Sequence, residues 1–165
     1  LRHSSRSSAI STDRPSRMKL QKNSSIALCS VLEAASDPAR QISAADIASK
    51  FGVSPHHLRK VLRQLGRAGI LDSARGVGGG YRFSGNAKRL TLMDVIDLFE
   101  SISAVPAESG GKEYTTDVGR AIARVLSEID ETAKATFRSI SIDTMLKLIE
   151  RDRRAREARP QGRAR

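Results

Sequence analysis

The pattern of apolar and polar positions is most regular over residues 43–66, where it predicts two short helices separated by a tight turn. Ser43 is the predicted N-cap of the first helix. Three apolar side chains then share one helical face: Ile47, Ala48 and Phe51. Gly52 predicts the end of this helix, because glycine readily adopts the left-handed conformation that closes a helix C-terminus.

The second helix is predicted to begin at Ser54 and Pro55, since serine is a favourable N-cap and proline fits the first helical position. Apolar side chains form its inward face: Leu58, Val61, Leu62 and Leu65. Polar and basic side chains occupy the other positions: His56, His57, Arg59, Lys60 and Arg63. This arrangement is typical of a helix-turn-helix whose second helix enters the DNA major groove. An ordinary helical hairpin with a solvated basic face is the alternative.

The glycine-rich stretch ARGVGGGYRFS at residues 74–84 decides between these two interpretations. Two short extended segments flank its glycines and predict a β-hairpin. Directly behind a helix-turn-helix, such a hairpin is a wing, and Arg75, Tyr81 and Arg82 would contact a phosphate backbone or the minor groove. A nucleotide-binding loop is disfavoured, because no Gly-Lys-Ser/Thr follows and the glycines do not open a helix.

Helical periodicity also appears over residues 19–35, 90–102, 117–137 and 139–150. The longest of these segments carries an apolar stripe at spacings of four, three and four residues: Val118, Ile122, Val125 and Ile129. A helix of this length outside a small winged domain needs a surface on which to bury its stripe. A second copy of the chain in a two-fold dimer is the economical partner; packing back on the same domain is the alternative.

These elements predict a mainly α fold with a small β-hairpin wing, that is, a winged helix-turn-helix domain followed by a long dimerisation helix. We expect a disordered extension over residues 1–17, with Met18 as a candidate native start, and the winged domain over 18–89. Linker and dimerisation helices would follow over 90–149, and a disordered basic tail over 150–165.

The charge distribution narrows the class of partner. The chain of 165 residues has a formal net charge of +11, and residues 54–89 alone carry +7 while residues 90–149 carry −4. A basic excess on the predicted recognition helix and wing indicates a polyanionic partner, for which double-stranded DNA is the first candidate. No apolar run of membrane-spanning length and no secretory leader is present, so we expect a cytoplasmic, nucleoid-associated protein with no membrane partner.

The residues that could support metal binding or catalysis are few. Cys29 is the single cysteine, which excludes an intrachain disulfide and a multi-cysteine cluster within one subunit. Its lack of basic neighbours in sequence favours a small buried hydrophobe over a redox-sensing thiol near the dimer helices. His56 and His57 point about 100° apart on a helix and cannot form a metal site by themselves. We predict no metal and no enzymatic activity.

The segments MKLQKNSSIALCSVLEAA, ISAADIASKFGVSPHHLRKVLRQLGRAGIL, RGVGGGYRFS and LTLMDVIDLFE together resemble the Rrf-two-type transcriptional regulators, which include IscR, NsrR and CymR. The resemblance runs from about Met18 to Leu148 and implies a bacterial homodimer with winged heads at both ends of two crossed long helices. It also implies base contacts by His56, Arg59 and Lys60. The implied backbone contacts come from Ser54, His57, Arg75 and Arg82.

The chain departs from the cluster-binding members of that family. Those members carry three cysteines in the loop before the long helix, whereas residues 103–116 contain none here. We therefore expect no iron–sulfur cluster, and a signal that is a small molecule, a protein or thiol oxidation. The expected function is sequence-specific repression from a pseudo-palindromic operator. Architectural, non-specific DNA binding is the alternative, disfavoured by three groups suited to base readout: His56, Arg59 and Lys60.

Overall fold

The computed structural model describes residues 20–74, 79–102 and 112–158, and within them it is mainly helical with one β-hairpin, as predicted. The helices are α1 (Lys22–Ser36), α2 (Ala44–Phe51), α3 (Pro55–Arg67), α4 (Leu92–Ile96), α5 (Asp117–Ser139) and α6 (Ile142–Glu157). A single 3₁₀ turn, Lys112–Thr115, precedes α5. The strands are β1 (Leu71–Ala74) and β2 (Gly80–Phe83).

Local capping explains why α2 and α3 form where the sequence predicts them. The Ser43 hydroxyl accepts a hydrogen bond from the Asp46 amide at 3.0 Å and caps α2. Gly52 closes that helix with φ 62°, a left-handed conformation that favours glycine. The Ser54 hydroxyl accepts from the His57 amide at 3.2 Å and starts α3. The predicted helix-turn-helix is therefore confirmed.

The hairpin is antiparallel, with Leu71 opposite Phe83 and Ala74 opposite Gly80. A further backbone pairing, which periodicity could not predict, lies on the other edge of β2. The Ile42 amide donates to the Tyr81 carbonyl at 2.9 Å, and the Tyr81 amide donates to the Ile42 carbonyl at 2.8 Å. The hairpin is thereby joined to the chain just before α2, which fixes its position beside α3.

Gly80 makes this pairing sterically feasible. An added Cβ at this position would lie 2.7 Å from the Ile42 carbonyl oxygen and 3.0 Å from its carbon. Gly80→Ala is expected to lower the free energy of unfolding by about 1–3 kcal/mol, because two backbones must separate. Urea unfolding measures the effect.

The matched control is Gly66→Ala in α3, where an added Cβ would have its nearest neighbour, the Leu71 carbonyl oxygen, at an ordinary 3.6 Å. Alanine is preferred over glycine within a helix by about 1 kcal/mol, so this variant should be at least as stable as the unmodified chain. Equal stability of the two variants would contradict the steric role of Gly80.

Helix α1 lies at the centre of the core, where it packs on α3, α4, α6 and β2. Helix α4 is shorter than the predicted segment 90–102, and its apolar side chains lie in the same core: Leu92, Met93, Val95 and Ile96. Helix α4 follows the predicted domain boundary at residue 89 and packs on the same core as the winged part. These four side chains cover α1, so the winged part would be incomplete without α4.

Helix α5 extends over Asp117–Ser139, as its periodicity predicts, and its C-terminal end packs on the core through Phe137. The chain is fixed at this point, because the Leu92 amide donates to the Ile140 carbonyl at 2.9 Å and the Ile142 amide donates to the Leu90 carbonyl at 2.8 Å. The rest of the α5 apolar stripe is left uncovered.

Helix α6 continues to Glu157, so a disordered tail beginning at residue 150 is a wrong prediction for residues 150–157. The Glu150 carboxylate pairs with Arg153 at 2.9 Å and with Arg154 at 2.8 Å. Ion pairs at these helical spacings stabilise a helix with few apolar contacts. The remainder of the predicted tail, residues 159–165, lies outside the described residues.

Candidate nucleic-acid interface

The exposed face of α3 carries most of the predicted DNA-binding residues. The buried side chains of Leu58, Val61, Leu62 and Leu65 fix the rotation of the helix, as predicted. This rotation leaves four predicted contact side chains exposed: His56, Arg59, Lys60 and Arg63. Guanidinium, ammonium and imidazole groups on one accessible helical face can donate hydrogen bonds to base edges and phosphates.

The predicted outward position of His57 is wrong. Its side chain is half-buried, and its Nε2 atom is enclosed without a hydrogen-bond partner. The reason is helical geometry: His57 follows His56 by about 100°, which turns it from the outward face onto the flank of α3. Its backbone amide donates to the Ser54 hydroxyl and so belongs to the cap of α3.

A concave groove of about 840 Å³ lies between α3 and the hairpin. Among the described residues, four arginines and one acidic residue line it: Arg59, Arg63, Arg67, Arg82 and Asp72. Sequence reasoning missed Arg67, although its spacing of four residues from Arg63 and eight from Arg59 places it near the same face. It also missed Gln41, which enters the groove because of the pairing between Ile42 and Tyr81.

The hairpin contributes Tyr81 and Arg82 to this groove. Tyr81 is half-buried and packs on the core, so its backbone is held while part of the ring faces the groove. The Arg82 guanidinium lies 3.9 Å from the Asp72 carboxylate, and both side chains are more than half exposed. Such a surface pair contributes little stability, which leaves Arg82 available to a phosphate. Arg75 lies outside the described residues.

The predicted dimer stripe on α5 is open to solvent. Its exposed fractions are 71% for Val118, 50% for Ile122, 57% for Val125 and 50% for Ile129. Packing of these side chains on their own domain, the alternative considered above, is therefore wrong. Four large apolar side chains on one face of a projecting helix form the kind of patch that marks an interaction surface.

Cys29 lies beside the helix-turn-helix rather than near α5. It lines a cavity of about 380 Å³ together with Ile26 of α1, Phe51 at the end of α2 and Val53 in the turn before α3. Burial raises the pKa of the Cys29 thiol above its ordinary value of 9.0. The thiolate is the reactive form, so this environment lowers the reactivity of the thiol at neutral pH.

Alkylation of Cys29 by iodoacetamide at pH 7.5 is therefore expected to be slower in the folded protein than in urea. Its rate should still be rising at a pH where an ordinary cysteine is already deprotonated, because burial raises the pKa of the thiol. Mass spectrometry of timed samples measures both rates. Folded protein that reacts as fast as the unfolded chain would restore Cys29 as a strong candidate for redox sensing.

Within residues 20–74, 79–102 and 112–158, no group of three or more His, Cys, Asp or Glu side chains is placed to hold a metal ion. Three cysteine ligands are also unattainable within one subunit, because the whole sequence contains one cysteine. The residues present do not fit an iron–sulfur cluster of the three-cysteine type. Among the same described residues, no helix is both long and apolar enough to span a membrane.

Comparisons with known proteins agree with this geometry. The family model described as Rrf2, iron-dependent transcriptional regulator, matches residues 20–148. A Rhodopseudomonas palustris protein assigned as the HTH-type transcriptional regulator BadM is 48% identical over 145 residues, covering 88% of this chain and 92% of that protein.

Two solved structures share the fold. The structure of T. potens IscR superposes with a TM-score of 0.65 at 20% identity, covering 88% of this chain and 94% of that one. The structure of CymR, the global cysteine regulator of B. subtilis, gives a TM-score of 0.61 at 22% identity, covering 80% and 98%. These two likenesses show that the chain has the fold of these regulators. The chain belongs to the Rrf2 family: it is a DNA-binding transcriptional regulator and not an enzyme.

Proposed function

We propose that this regulator is a sequence-specific repressor that binds a pseudo-palindromic operator as a homodimer. The observation that carries the proposal is the exposed α3 face, where His56, Arg59 and Lys60 stand beside a groove lined with arginines. A mixed set of donors supports base readout, while the arginines of the groove support phosphate binding. Ser54, at the exposed start of α3, and Arg82 on the hairpin are proposed to contact the backbone.

The second copy of the chain is the proposed partner of the α5 stripe. Covering Val118, Ile122, Val125 and Ile129 stabilises an assembly by roughly 1 kcal/mol or more for each side chain. A two-fold pair of α5 helices covers all four residues on both copies with one symmetric contact. It also presents two α3 helices to DNA, which is why we propose half-sites separated by about one helical turn or a multiple of it.

Sedimentation of the purified protein with a selected DNA duplex tests this arrangement. We expect two chains per duplex, and a duplex cut to one half-site should bind at least tenfold more weakly, because the second head then adds no affinity. One chain per full site, bound as tightly as on the half-site, would contradict the homodimer.

We propose repression because a dimer bound across a promoter blocks RNA polymerase by occupying the DNA. This mechanism requires no activating domain. Release is proposed to follow binding of a small molecule or a protein, since the environment of Cys29 weakens the thiol alternative. Transcription in vitro from a promoter that contains the operator should fall as protein is added. A rise in transcript would contradict repression.

We propose that the protein acts without an iron–sulfur cluster, although the family model is described as iron-dependent. The support is the single cysteine of the whole sequence. After anaerobic incubation with ferrous iron and sulfide, followed by desalting, we expect no visible absorption bands and unchanged affinity for the operator. Stoichiometric iron that alters this affinity would contradict the proposal.

Non-specific architectural binding is the second candidate, and the net charge of +11 is the observation that favours it. Charge alone binds any DNA with an affinity that falls steeply as salt rises. The two candidate functions can be distinguished at physiological salt, where only a protein that reads bases still binds one sequence tightly.

A further inference from the structure

The short segment after α4, residues 97–102, is neither helix nor strand and packs against the core. Its backbone folds back on α4: the Phe99 amide donates to the Ile96 carbonyl at 2.9 Å, and the Glu100 amide donates to the same carbonyl at 3.1 Å. Leu98, Phe99 and Ile102 pack partly buried against the core. We call residues 97–102 the relay segment; the chain continues from it towards α5.

Two hydrogen bonds join the relay segment to helices that are distant in sequence. The Gln64 side-chain amide of α3 donates to the Leu98 carbonyl. The Gln21 backbone amide, at the start of α1, donates to both oxygens of the Glu100 carboxylate at 3.0 and 3.2 Å. Helix α1 has no side-chain N-cap of its own, so the Glu100 carboxylate supplies the negative charge that its N-terminus favours.

Gln64 lies on the flank of α3 that faces away from the hairpin. It is seven residues from His57, so the two side chains are only about 20° apart around the helix axis. His57 is half-buried on this flank, and Gln64 is absent from the groove lining, which on α3 extends from Arg59 and Gly66 on the opposite flank to Arg67, about 60° from Gln64. The hairpin therefore holds one flank of the recognition helix, and the relay segment contacts the other.

We propose that the relay segment sets the position of α3 for DNA binding, with Gln64 as a positioning residue that does not itself contact DNA. A displacement of Leu98 would reorient α3 through this bond. Operator affinity would then change while every DNA-contacting side chain stays the same. The inference rests on the proposed operator binding and adds to it a residue outside the DNA interface that holds the recognition helix in position.

The test replaces the donor without shortening the side chain, in Gln64→Met. Operator affinity is expected to fall about three- to tenfold, the loss typical of one hydrogen bond. The salt dependence and the preferred base at each operator position should remain those of the unmodified protein, because no phosphate or base contact is removed. In the free protein, hydrogen exchange at the Phe99 and Glu100 amides should become faster.

Glu100 supplies a matched pair of variants. Glu100→Gln keeps an acceptor for the Gln21 amide and should bind the operator within about twofold of the unmodified protein. Glu100→Ala removes the acceptor and should lose about three- to tenfold. An equal loss in the two Glu100 variants would overturn the role of that hydrogen bond.

Three outcomes for Gln64→Met would overturn the proposal: unchanged operator affinity, unchanged amide exchange, or a changed base preference at one position, which would make Gln64 a direct DNA contact. Failure of the proposed function is distinguishable from these, because the unmodified protein would then select no operator at all. If the unmodified protein does select an operator and Gln64→Met binds it equally well, only the relay is contradicted.

Discussion

Replacing Ile122 by glutamate is expected to raise the dissociation constant of the dimer at least about a hundredfold, since burial of an unpaired carboxylate costs several kcal/mol. Ile122 is half exposed in the single chain and lies near the middle of the proposed contact. Because the dimer is two-fold symmetric, both copies carry the substitution, and the free-energy cost of burying a carboxylate applies twice in one interface. Operator affinity should fall in parallel, because each head must then bind alone.

Ser127→Glu is the matched control, since it adds the same charge to the exposed face of α5 away from the stripe. Both variants should keep the helical content of the unmodified protein, because glutamate is a better helix former than isoleucine or serine. Sedimentation equilibrium measures the assembly, and gel shifts measure DNA binding. Ile122→Glu protein that sediments as a dimer at the concentration where the unmodified protein does would show that another surface mediates the contact.

Arg59→Ala is expected to remove about 1–3 kcal/mol of operator affinity and to relax the base preference at one position in each half-site. Arg59 is exposed on α3 and also lines the groove beside the hairpin. Its planar guanidinium can donate two hydrogen bonds to one guanine edge, a geometry that alanine cannot reproduce. Competition with operators changed at single positions measures this preference.

Two further variants serve as controls for the Arg59→Ala measurement. Arg82→Ala should weaken binding to all sequences alike and lower the salt slope by about one, as expected of a lost phosphate contact. Arg138→Ala, an exposed arginine at the end of α5, should leave affinity within about twofold. If Arg59→Ala behaves like Arg82→Ala, with unaltered base preference, the assignment of Arg59 to base readout is wrong.

The helix-turn-helix could be predicted from sequence because its boundaries depend on neighbouring residues. Ser43 and Ser54 each cap a helix that begins at the next residue, and Gly52 ends the first helix through its own backbone conformation. The buried stripe of α3 follows from spacing alone. Such short-range signals determine where an element begins and which face it buries.

The features that sequence reasoning missed depend on contacts between residues far apart in the chain. The pairing of Ile42 with Tyr81 involves a single residue outside the named strands, too short to produce a pattern. The bond from Gln64 to Leu98 spans 34 residues. The burial of α4 depends on its position over α1. The amphipathic pattern of α4 predicts a buried face but does not say whether that face packs on α1 or in the dimer.

The uncovered apolar stripe on α5 also shows that the sequence pattern does not determine which surface an apolar face contacts. Its spacing predicted an apolar face, and two different surfaces could have covered it. In the structure, the winged domain covers Phe137 and leaves Val118, Ile122 and Val125 exposed. The physical reason is the anchoring of Ile140 and Ile142 to the chain before α4, which holds only the C-terminal end of α5 on the core.

The central claim, base-specific recognition by a dimer, is tested most directly by selection from genomic DNA. Purified protein is incubated with sheared DNA of its source genome at physiological salt, and the bound fragments are recovered and sequenced. Salt at this level suppresses binding by charge alone. We predict enrichment of a shared inverted repeat whose half-sites are about one helical turn apart or a multiple of it. Uniform recovery across the genome would contradict specific recognition by α3 and favour architectural binding.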